Sequence, residues 1–292
     1  MKKILLTGSN GFIGSNLLQY LSKNNKVYTI IRKKSKNTYK NKNINQIYFN
    51  HYENLNKKLK LINVDVVIHC ATHYIKNHDQ ADIKKLAESN ILLGNILLEN
   101  LTRMRVKKFI NFSTVWENYD GKKDNFYNLY SVYKKNFRNI IDYYKKILTV
   151  KFYNLIISDT FGNNDLREKI INTLRKNYKK GKITKIISKK LFINFLNVED
   201  IVNAVDLLLK KDLKPDDYIL KNNKNTNIYK MIKQMNNSSK KKIRIKWVSN
   251  KKIEEKIYNY KKLKGWKPSK SKVQDIIDLI KKKIKLFYIS TT

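Results

Sequence analysis

The sequence predicts an α/β protein in which a doubly wound parallel sheet of the Rossmann type is followed by a smaller C-terminal substrate lobe. Short apolar segments alternate with longer segments of helical spacing through residue 157, the pattern of strands joined by crossover helices. Three glycines stand between the first apolar segment and the first helical segment, where a nucleotide-binding turn would lie. The 292 residues suffice for one large domain or two coupled ones.

The first half of the sheet is predicted from apolar runs near the N-terminus. The run KILLTG makes Lys3–Gly8 a buried strand, and the spacing of apolar residues makes Phe12–Lys23 a helix. Val27–Ile31 is a second apolar run and a second strand, whereas Ile47–Phe49 is a weaker third strand. The basic and polar segment Arg32–Asn45 is predicted to be a surface loop.

The second half of the sheet follows the same pattern. Asp65–Cys70, with the sequence DVVIHC, is a strong fourth strand, and Ile83–Arg103 has the spacing of a long helix. Lys108–Phe112 is a fifth strand. Tyr130–Lys146 has helical spacing again, and Val150–Ile157 returns to a strand. Strands that alternate with helices in this way pair in parallel.

Two domains are predicted because this alternation becomes irregular after residue 157. Residues 1–157 are expected to form a dinucleotide-binding domain and residues 158–292 a substrate-binding lobe, with residues 193–212 returning to the first domain. Pro215 and Pro268 are the only prolines, and no Gly- or Ser-rich linker separates the two parts.

The net charge of +40 has two interpretations. It indicates either a binding surface for nucleic acid or an anionic membrane, or a coding bias towards the A/T-rich codons of Lys, Asn, Ile and Tyr. We favour the coding bias because lysines are spread from Lys2 to Lys285 instead of clustering. No specific nucleic-acid partner is therefore expected, although such a surface attracts anionic ligands such as nucleotides.

The single cysteine and the short apolar runs predict a soluble cytoplasmic protein. Cys70 has no partner for an intramolecular disulfide, which suits a reducing compartment. The first apolar run, Ile4–Leu6, is too short for a signal peptide, and no run approaches the length of a membrane span. No membrane insertion is expected.

The glycine-rich segment TGSNGFIGSNL is the most specific local signal in the chain. Its glycines follow a G-x-x-G-x-x-G spacing instead of the more general G-x-G-x-x-G. Glycines at such a turn allow the backbone to approach a pyrophosphate, and the helix that follows supplies free N–H groups and a partial positive charge. The residues predicted to bind the cofactor here are Gly8, Ser9, Asn10, Gly11, Phe12, Ile13 and Gly14.

Basic residues at the end of the second strand indicate which dinucleotide is bound. Arg32, Lys33 and Lys34 stand where an NAD-specific protein would carry an acidic residue for the ribose 2′-hydroxyl. Arginine can instead bind a 2′-phosphate, so NADP(H) is preferred as the cofactor, while NAD(H) stays possible because lysines are abundant everywhere.

Five segments together resemble the extended short-chain dehydrogenase/reductase family of nucleotide-sugar epimerases, dehydratases and 4-keto reductases. They are TGSNGFIG, DVVIHCAT, SNILLGNILLEN, KKFINFST and NLYSVYKK. The resemblance implies a nucleotide-sugar substrate and a homodimer. It also implies that Cys70, Ala71 and Thr72 lie along the cofactor, and that Asn90 supports the active site.

The same resemblance implies a catalytic set of Thr114, Tyr130 and Lys134. Thr114 would hydrogen-bond the sugar carbonyl, Tyr130 would protonate it, and Lys134 would also hold the ribose of the cofactor. The segments FINFSTVWENY and DTFGNNDLREK are most similar to the group of CDP-abequose and CDP-paratose synthases, which reduce a 4-keto-3,6-dideoxy sugar. The substrate-binding residues that this implies are Thr114, Trp116, His73, Asn163 and Arg167.

The spacing of Tyr130 and Lys134 gains its meaning from its place in the chain. Y-x-x-x-K occurs six times, where the composition gives about four by chance. Only this pair opens a helix soon after FINFST. Residues four apart share one helix face, and a nearby cation lowers the pKa of a phenol, which is ordinarily near 10.

Other functions are weighed against reduction. Dehydratases of the family carry an Asp-Glu pair directly after the catalytic threonine, and Val115 and Trp116 stand there instead. An NAD-dependent 4-epimerase is the second candidate, and a non-catalytic dinucleotide- or nucleic-acid-binding protein the third. His69, His73 and His78 near the cysteine have no established ligand spacing, so no metal is predicted.

Overall fold

The main sheet is parallel throughout, in a computed structural model that describes residues 1–32 and 39–282. Its strands are β1 (Lys3–Thr7), β2 (Lys26–Arg32), β3 (Ile44–Phe49), β4 (Val66–His69), β5 (Lys108–Thr114), β6 (Lys151–Ile157), β11 (Asp217–Leu220) and β15 (Lys261–Lys262). Their order across the sheet is β15-β11-β6-β5-β4-β1-β2-β3. The order reverses between β1 and β4, which is where doubly wound sheets bind their ligands. The predicted fold class is confirmed.

The described residues also form helices and shorter strands. The helices are α1 (Phe12–Leu21), α2 (Tyr52–Leu59), α3 (Asp82–Ala87), α4 (Leu93–Asn100), α5 (Leu129–Ile147), α6 (Ile170–Lys180), α7 (Val198–Lys210), α8 (Ile228–Asn237) and α9 (Val273–Lys281). A π-helical turn, Glu88–Leu92, joins α3 to α4, and a 3-10-helical segment, Val115–Gly121, follows β5. The remaining strands are β7 (Asp159–Phe161), β8 (Thr184–Ile186), β9 (Leu191–Ile193), β10 (Phe195–Asn197), β12 (Thr226–Asn227), β13 (Ile245–Trp247) and β14 (Ile253–Glu254).

Two parts of the first half differ from the sequence-based expectation. β2 reaches Arg32 and β3 begins at Ile44, so the loop predicted over Arg32–Asn45 was wrong at both ends. Pairing of β3 with β2 overrides the polar sequence there, because an edge strand needs only one neighbour for its hydrogen bonds. Helix α2 was not predicted, since only Leu55 and Leu59 anchor it in the core.

The described residues divide into two compact units. The first comprises residues 1–158, 198–221 and 256–267, and the second comprises residues 159–197, 222–255 and the described residues from Pro268 onward. The division of residues 1–157 and 158–292 into a dinucleotide-binding domain and a substrate-binding lobe concerns function and stays a prediction.

The core of the first unit packs helices against the sheet. Strands β1 and β4 read as continuous apolar runs because parallel strands are covered on both faces. Gly94 of α4 and Phe137 of α5 show how closely two of these helices approach. A Cβ atom on Gly94 would lie 2.2 Å from Cε2 of Phe137, so this position has no room for a side chain.

The second unit has its own core. Helices α6, α8 and α9 pack around buried apolar side chains that include Phe161, Leu174 and Met231. The apolar stripe at Ile276 and Ile277 of α9 is buried there, which explains the amphipathic pattern of the C-terminal segment. Within the part of the chain that the structure describes, no helix has the length and apolar character needed to cross a membrane.

Candidate active site

The glycine turn lies between β1 and α1, and two of its glycines have no room for a side chain. Gly8 has a φ of 71°, and a Cβ atom there would lie 2.6 Å from the backbone nitrogen of Ala71. A Cβ atom on Gly14 would lie 2.0 Å from the carbonyl oxygen of Gly8. The backbone N–H of Gly11 donates to that same carbonyl over 2.9 Å. The turn is therefore closed tightly against the end of β4, as a phosphate-binding turn requires.

Side chains from β2 and from Tyr39 hold the turn from the other side. The hydroxyl of Thr29 donates to Oγ of Ser9 over 2.5 Å, and both side chains are buried. The hydroxyl of Tyr39 donates to Oδ1 of Asn10 over 2.6 Å. Phe12 and Ile13, the remaining predicted residues, are half-buried at the start of α1. Tyr39 and Thr29 were not predicted, because nothing local in the sequence links them to the turn.

His69 at the end of β4 is a core residue. Its Nδ1 lies 2.8 Å from Oγ1 of Thr7, and its ring centroid lies 5.2 Å from that of Phe137. Burial, and next the charge of Lys134, lower the pKa of His69 to about 3, so the ring is neutral. Among residues 1–32 and 39–282, no group of three or more His, Cys, Asp and Glu side chains is placed to hold a metal ion.

The segment after β4 is held by Asn90 of the π-helical turn. Oδ1 of this buried asparagine accepts hydrogen bonds from Oγ1 of Thr72 at 2.5 Å and from the backbone of His73 at 3.0 Å. Cys70 and Ala71 are half-buried beside the glycine turn, and the backbone N–H of Ala71 donates to Oγ1 of Thr7 over 3.1 Å. The structure thus brings the predicted residues of β1, β4 and Asn90 together at the switch point of the sheet.

The predicted catalytic pair opens helix α5. The side chain of Asn128 accepts from the backbone of Ser131, and Oγ of Ser131 accepts from the backbone of Asn128, which closes a capping box. Tyr130 is half-buried in the first turn. Lys134, one turn later, is buried. The helix start that the sequence indicates is therefore fixed by its own cap.

Thr114 is the last residue of β5. It is buried, and its Oγ1 accepts a hydrogen bond from the backbone of Trp116 over 3.3 Å. Because β4 and β5 are parallel neighbours, the hydroxyl stands at the same edge of the sheet as the residues that follow His69.

An aromatic wall, defined here as Tyr74, Trp116, Tyr119 and Tyr127, adjoins Tyr130. Tyr74 packs edge-on against Tyr130 with ring centroids 5.2 Å apart. Trp116 links Tyr74, at 5.8 Å, to Tyr127, at 5.1 Å. Contiguous aromatic surface of this kind beside reacting groups is typical of a ligand pocket. Of its members, the sequence indicated only Trp116.

An ionic cluster centres on Arg138, which lies one turn of α5 after Lys134. The guanidinium of Arg138 pairs with the carboxylates of Glu117 and Asp217 through different nitrogens. Asp217 also accepts from Nδ2 of Asn154 over 2.6 Å. Burial lowers the pKa of Lys134 to about 8, against the opposing effect of Glu117. No pattern in the sequence pointed to this cluster.

Arg32 lies at a cavity of about 1070 Å³ in the first unit. Its Nη2 donates to the hydroxyl of Tyr52 over 3.1 Å and to Oγ of Ser89 over 3.2 Å. Glu53 and Glu88 line the same cavity. Lys33 and Lys34, which the sequence grouped with Arg32, lie outside the described residues.

Asn163 and Arg167 belong to the second unit. The guanidinium of Arg167 donates to both carboxylate oxygens of Asp165, over 2.7 Å and 2.8 Å, and to the carbonyl of Thr160 over 3.0 Å. Asn163 is exposed and accepts from Nζ of Lys282 over 3.4 Å. A role for either residue in substrate binding stays a prediction. His73, in contrast, is half-buried directly after the residues that flank the glycine turn.

Comparison with known proteins adds to this geometry. A model of the NAD dependent epimerase/dehydratase family matches residues 4–220 of the chain. The CDP-abequose synthase of Yersinia pseudotuberculosis is 29% identical over 212 residues, which cover 72% of this chain and 74% of that one. The dTDP-D-glucose 4,6-dehydratase of Dictyostelium discoideum is 29% identical over 255 residues, covering 72% of this chain and 56% of that one.

Among solved structures, the UDP-N-acetylglucosamine 4-epimerase from Methanobrevibacter ruminantium M1, in complex with UDP-N-acetylmuramic acid, superposes with a TM-score of 0.79. The two chains are 19% identical, and the match covers 96% of this chain and 97% of that one. This likeness shows that the fold is shared over nearly the whole length.

Proposed function

Since the chain belongs to the NAD-dependent epimerase/dehydratase family and is an NAD(P)-dependent nucleotide-sugar enzyme, we propose that it reduces a 4-keto group on a nucleotide-activated deoxysugar with NADPH. The family resemblance noted in the sequence is thereby confirmed. The proposed substrate is a CDP-4-keto-3,6-dideoxyhexose or a similar sugar, used in building a surface polysaccharide. The similarity to the CDP-abequose synthase of Yersinia pseudotuberculosis supports that choice.

The burial of Glu117 and its ion pair with Arg138 are the observation that favours reduction over dehydration. Elimination needs acid and base groups beside the sugar, yet Val115 and Trp116 follow Thr114 directly. Glu117, the next carboxylate along the chain, is 0% exposed and paired with Arg138, so it cannot exchange protons with a bound sugar. The other side chains proposed for the site, those of Thr114, Tyr130 and Lys134, suit proton donation to a carbonyl.

The glycine turn fits the phosphates of a dinucleotide. Gly8 and Gly14 leave no space for side chains, so a pyrophosphate could approach the backbone at the start of α1. The half-buried segment from Cys70 to Ala71 and the buried Lys134 would flank the rest of the cofactor. When bound, the nicotinamide supplies the hydride for the sugar carbon.

The reaction then needs one proton and one oriented carbonyl. We assign the hydrogen bond that orients the carbonyl to the hydroxyl of Thr114, and the proton that its oxygen receives to the phenol of Tyr130. Lys134, one helical turn away, favours the ionised form of that phenol and so eases the transfer. The product is a C4 alcohol, formed by hydride addition to carbon and proton addition to oxygen.

Arg32 supports NADPH as the cofactor. Its guanidinium is held by Tyr52 and Ser89 at the end of β2, which is where the adenosine ribose of a dinucleotide lies in doubly wound folds. With Nη2 committed to these two hydroxyls, the N–H groups of Nε and Nη1 can donate to a 2′-phosphate. Glu53 and Glu88 line the same cavity and repel the negative charge of a 2′-phosphate. The proposed preference for NADPH over NADH therefore depends on Arg32.

The decisive experiment is NADPH oxidation, followed by absorbance, with a panel of 4-keto nucleotide sugars carrying CDP, dTDP, UDP or GDP. We expect turnover with at least one 4-keto-deoxy sugar and a product reduced at C4. If no sugar is reduced with NADPH or NADH, the proposal fails.

The competing 4-epimerase activity has a separate signature. It would interconvert two nucleotide sugars with enzyme-bound NAD and without net oxidation of NADPH. Product analysis of ordinary hexose nucleotides separates the two functions. The homodimer and the cytoplasmic location stay predictions, the former measurable by light scattering.

A further inference from the structure

Glu117 has one carboxylate oxygen without a hydrogen-bond partner in the core of the first unit. The side chain is 0% exposed, and its Oε2 pairs with Nη1 of Arg138. In the part of the chain that the structure describes, the other oxygen, Oε1, is buried and unpaired. An unpaired oxygen on a buried carboxylate is costly unless some further positive charge compensates it.

Asp217, the second carboxylate on Arg138, is better compensated. It pairs with Nη2 of Arg138, accepts a hydrogen bond from Asn154 and lies 3.7 Å from Nζ of Lys145. Arg138 is therefore shared between two carboxylates, and Lys145 lies beside only one of them. Among the described residues, Glu117 forms an ion pair within 4 Å with Arg138 alone.

Lys134 is the complementary group. It is 4% exposed and precedes Arg138 by one turn of α5, so the two cations share a helix face. Among residues 1–32 and 39–282, it forms neither a hydrogen bond nor an ion pair within 4 Å. Burial lowers its pKa to about 8, and Glu117 is the largest charge that opposes this.

The other titratable and charged groups around Lys134 supply no competing anion. Burial raises the pKa of the Cys70 thiol and lowers that of His69, so both are neutral near pH 7. Burial also raises the pKa of Glu117, but contact with the guanidinium, which is always protonated, keeps the carboxylate ionised. On α5 itself, Tyr130, Lys135 and Arg138 lie within about one turn of Lys134.

We propose that Glu117 is a positioning residue for the reaction, whose carboxylate keeps the ammonium group of Lys134 charged while Arg138 holds that carboxylate in place. The proposal rests on the proposed function in one respect, since the charge of Lys134 serves Tyr130 and the cofactor. Glu117 acts through Lys134 and touches neither the sugar nor the dinucleotide.

The test is the pH dependence of Glu117→Gln, which keeps the shape and a hydrogen-bond acceptor for Arg138. Without the negative charge Lys134 loses its proton at lower pH, so the alkaline limb of turnover moves to lower pH. We expect kcat at pH 8 to fall on the order of tenfold, and kcat at pH 6 to stay within about twofold of wild type.

Asp217→Asn is the matched control, because it removes the other carboxylate from the same guanidinium. It is expected to lower the melting temperature as Glu117→Gln does, while leaving the alkaline limb in place. Glu117→Asp, which keeps the charge, should restore the limb. Coincident limbs in wild type and Glu117→Gln, or an equal displacement in Asp217→Asn, overturn the proposal.

A readout without any sugar separates this proposal from the function. The rate at which acetic anhydride acetylates Lys134, resolved by mass spectrometry of its peptide, should rise at lower pH in Glu117→Gln than in wild type. An unchanged profile rejects the role of Glu117 even if the sugar is reduced. A displaced profile supports it even if no sugar is found.

A second variant, Lys134→Arg, tests the proposal if Glu117→Gln does not fold. Since Lys134 is proposed to flank the cofactor, NADPH binding should weaken at alkaline pH as Lys134 loses its proton. Lys134→Arg cannot lose its charge, so this weakening, followed by fluorescence, should disappear. If the weakening persists in Lys134→Arg, another group titrates and the proposal is wrong.

Discussion

The side-chain amide of Asn90 forms two hydrogen bonds with the backbone of His73. Oδ1 accepts from the N–H of His73, and Nδ2 donates to its carbonyl, each over 3.0 Å. These two hydrogen bonds satisfy the backbone of the segment after β4 as a neighbouring strand would. π-Helical turns, such as the one that carries Asn90, interrupt helices most often at functional sites, and here the interruption aims one buried amide at the proposed cofactor-binding segment.

Replacing Asn90 by Ala should loosen that segment. It leaves two backbone groups of His73 without partners, at a cost of about 1–3 kcal/mol. We expect a lower melting temperature and weaker NADPH binding, measured by thermal unfolding and fluorescence titration. Asn95→Ala, on α4 directly after that turn, is the control for the melting temperature alone, since Oδ1 of Asn95 has no partner among the described residues and Asn95 lines the cavity at Arg32. Equal effects of the two variants on the melting temperature would count against a special role for Asn90.

Replacing Tyr130 by Phe should abolish turnover while leaving the fold intact. The ring, and with it the edge-on contact to Tyr74, is kept, and only the proton donor is lost. General acid catalysis contributes about 10²–10⁴-fold, so NADPH oxidation should fall by that factor while NADPH binding persists. Tyr133→Phe, on the next face of α5, should retain activity. A Tyr130→Phe enzyme with wild-type turnover would exclude the mechanism.

Replacing Arg32 by Ala should change the choice of cofactor. The guanidinium is proposed to bind the 2′-phosphate, and a hydrogen bond to a charged group is worth about 1.5–3 kcal/mol. The Kd of NADPH should therefore rise by about tenfold or more, whereas that of NADH stays unchanged. Both constants are accessible by fluorescence titration. Lys42→Ala removes an exposed cation that precedes β3 and controls for general charge. Parallel losses for both cofactors would mean that Arg32 does not read the phosphate.

Replacing Trp116 by Leu should weaken sugar binding and spare the dinucleotide. The indole lies at the centre of the aromatic wall, between Tyr74 and Tyr127. Loss of its ring contacts should raise KM for the nucleotide sugar by about tenfold, because each aromatic pair is worth about 0.5–1.5 kcal/mol beyond its buried area. Steady-state kinetics and NADPH titration measure the two effects. Tyr143→Leu removes an exposed ring from the far end of α5 and should change neither.

Local patterns predicted the elements whose signal is contained in a short window. The turn from Gly8 to Gly14 and the helix that begins near Tyr130 were recognisable because the spacing of glycines, caps and apolar residues is itself the signal. Helix α2 escaped because its two buried leucines give too weak a periodicity. The prediction made strand β3 too short, because its polar residues pair through the backbone and their side chains carry no signal of that pairing.

Contacts between distant residues could not be predicted. Glu117, Arg138 and Asp217 meet although they lie on three separate elements, and each alone reads as an ordinary charged residue. Arg167 gives a second example. Its role in substrate binding stays a prediction, and its ion pair with Asp165, two residues away, was not foreseen. Charge in a sequence does not reveal its partner.

The close approach of Gly94 to Phe137 has a mechanical consequence. Helix α5 carries the predicted catalytic residues Tyr130 and Lys134 near its start, and the ring of Phe137 on the same helix fills the space beside Gly94 of α4. Because protein interiors barely compress, a side chain at residue 94 would displace the buried ring of Phe137 and strain the packing of α5 against α4. The packing of α4 against α5 therefore bears on the position of Tyr130 and Lys134, although neither Gly94 nor Phe137 belongs to the predicted catalytic set.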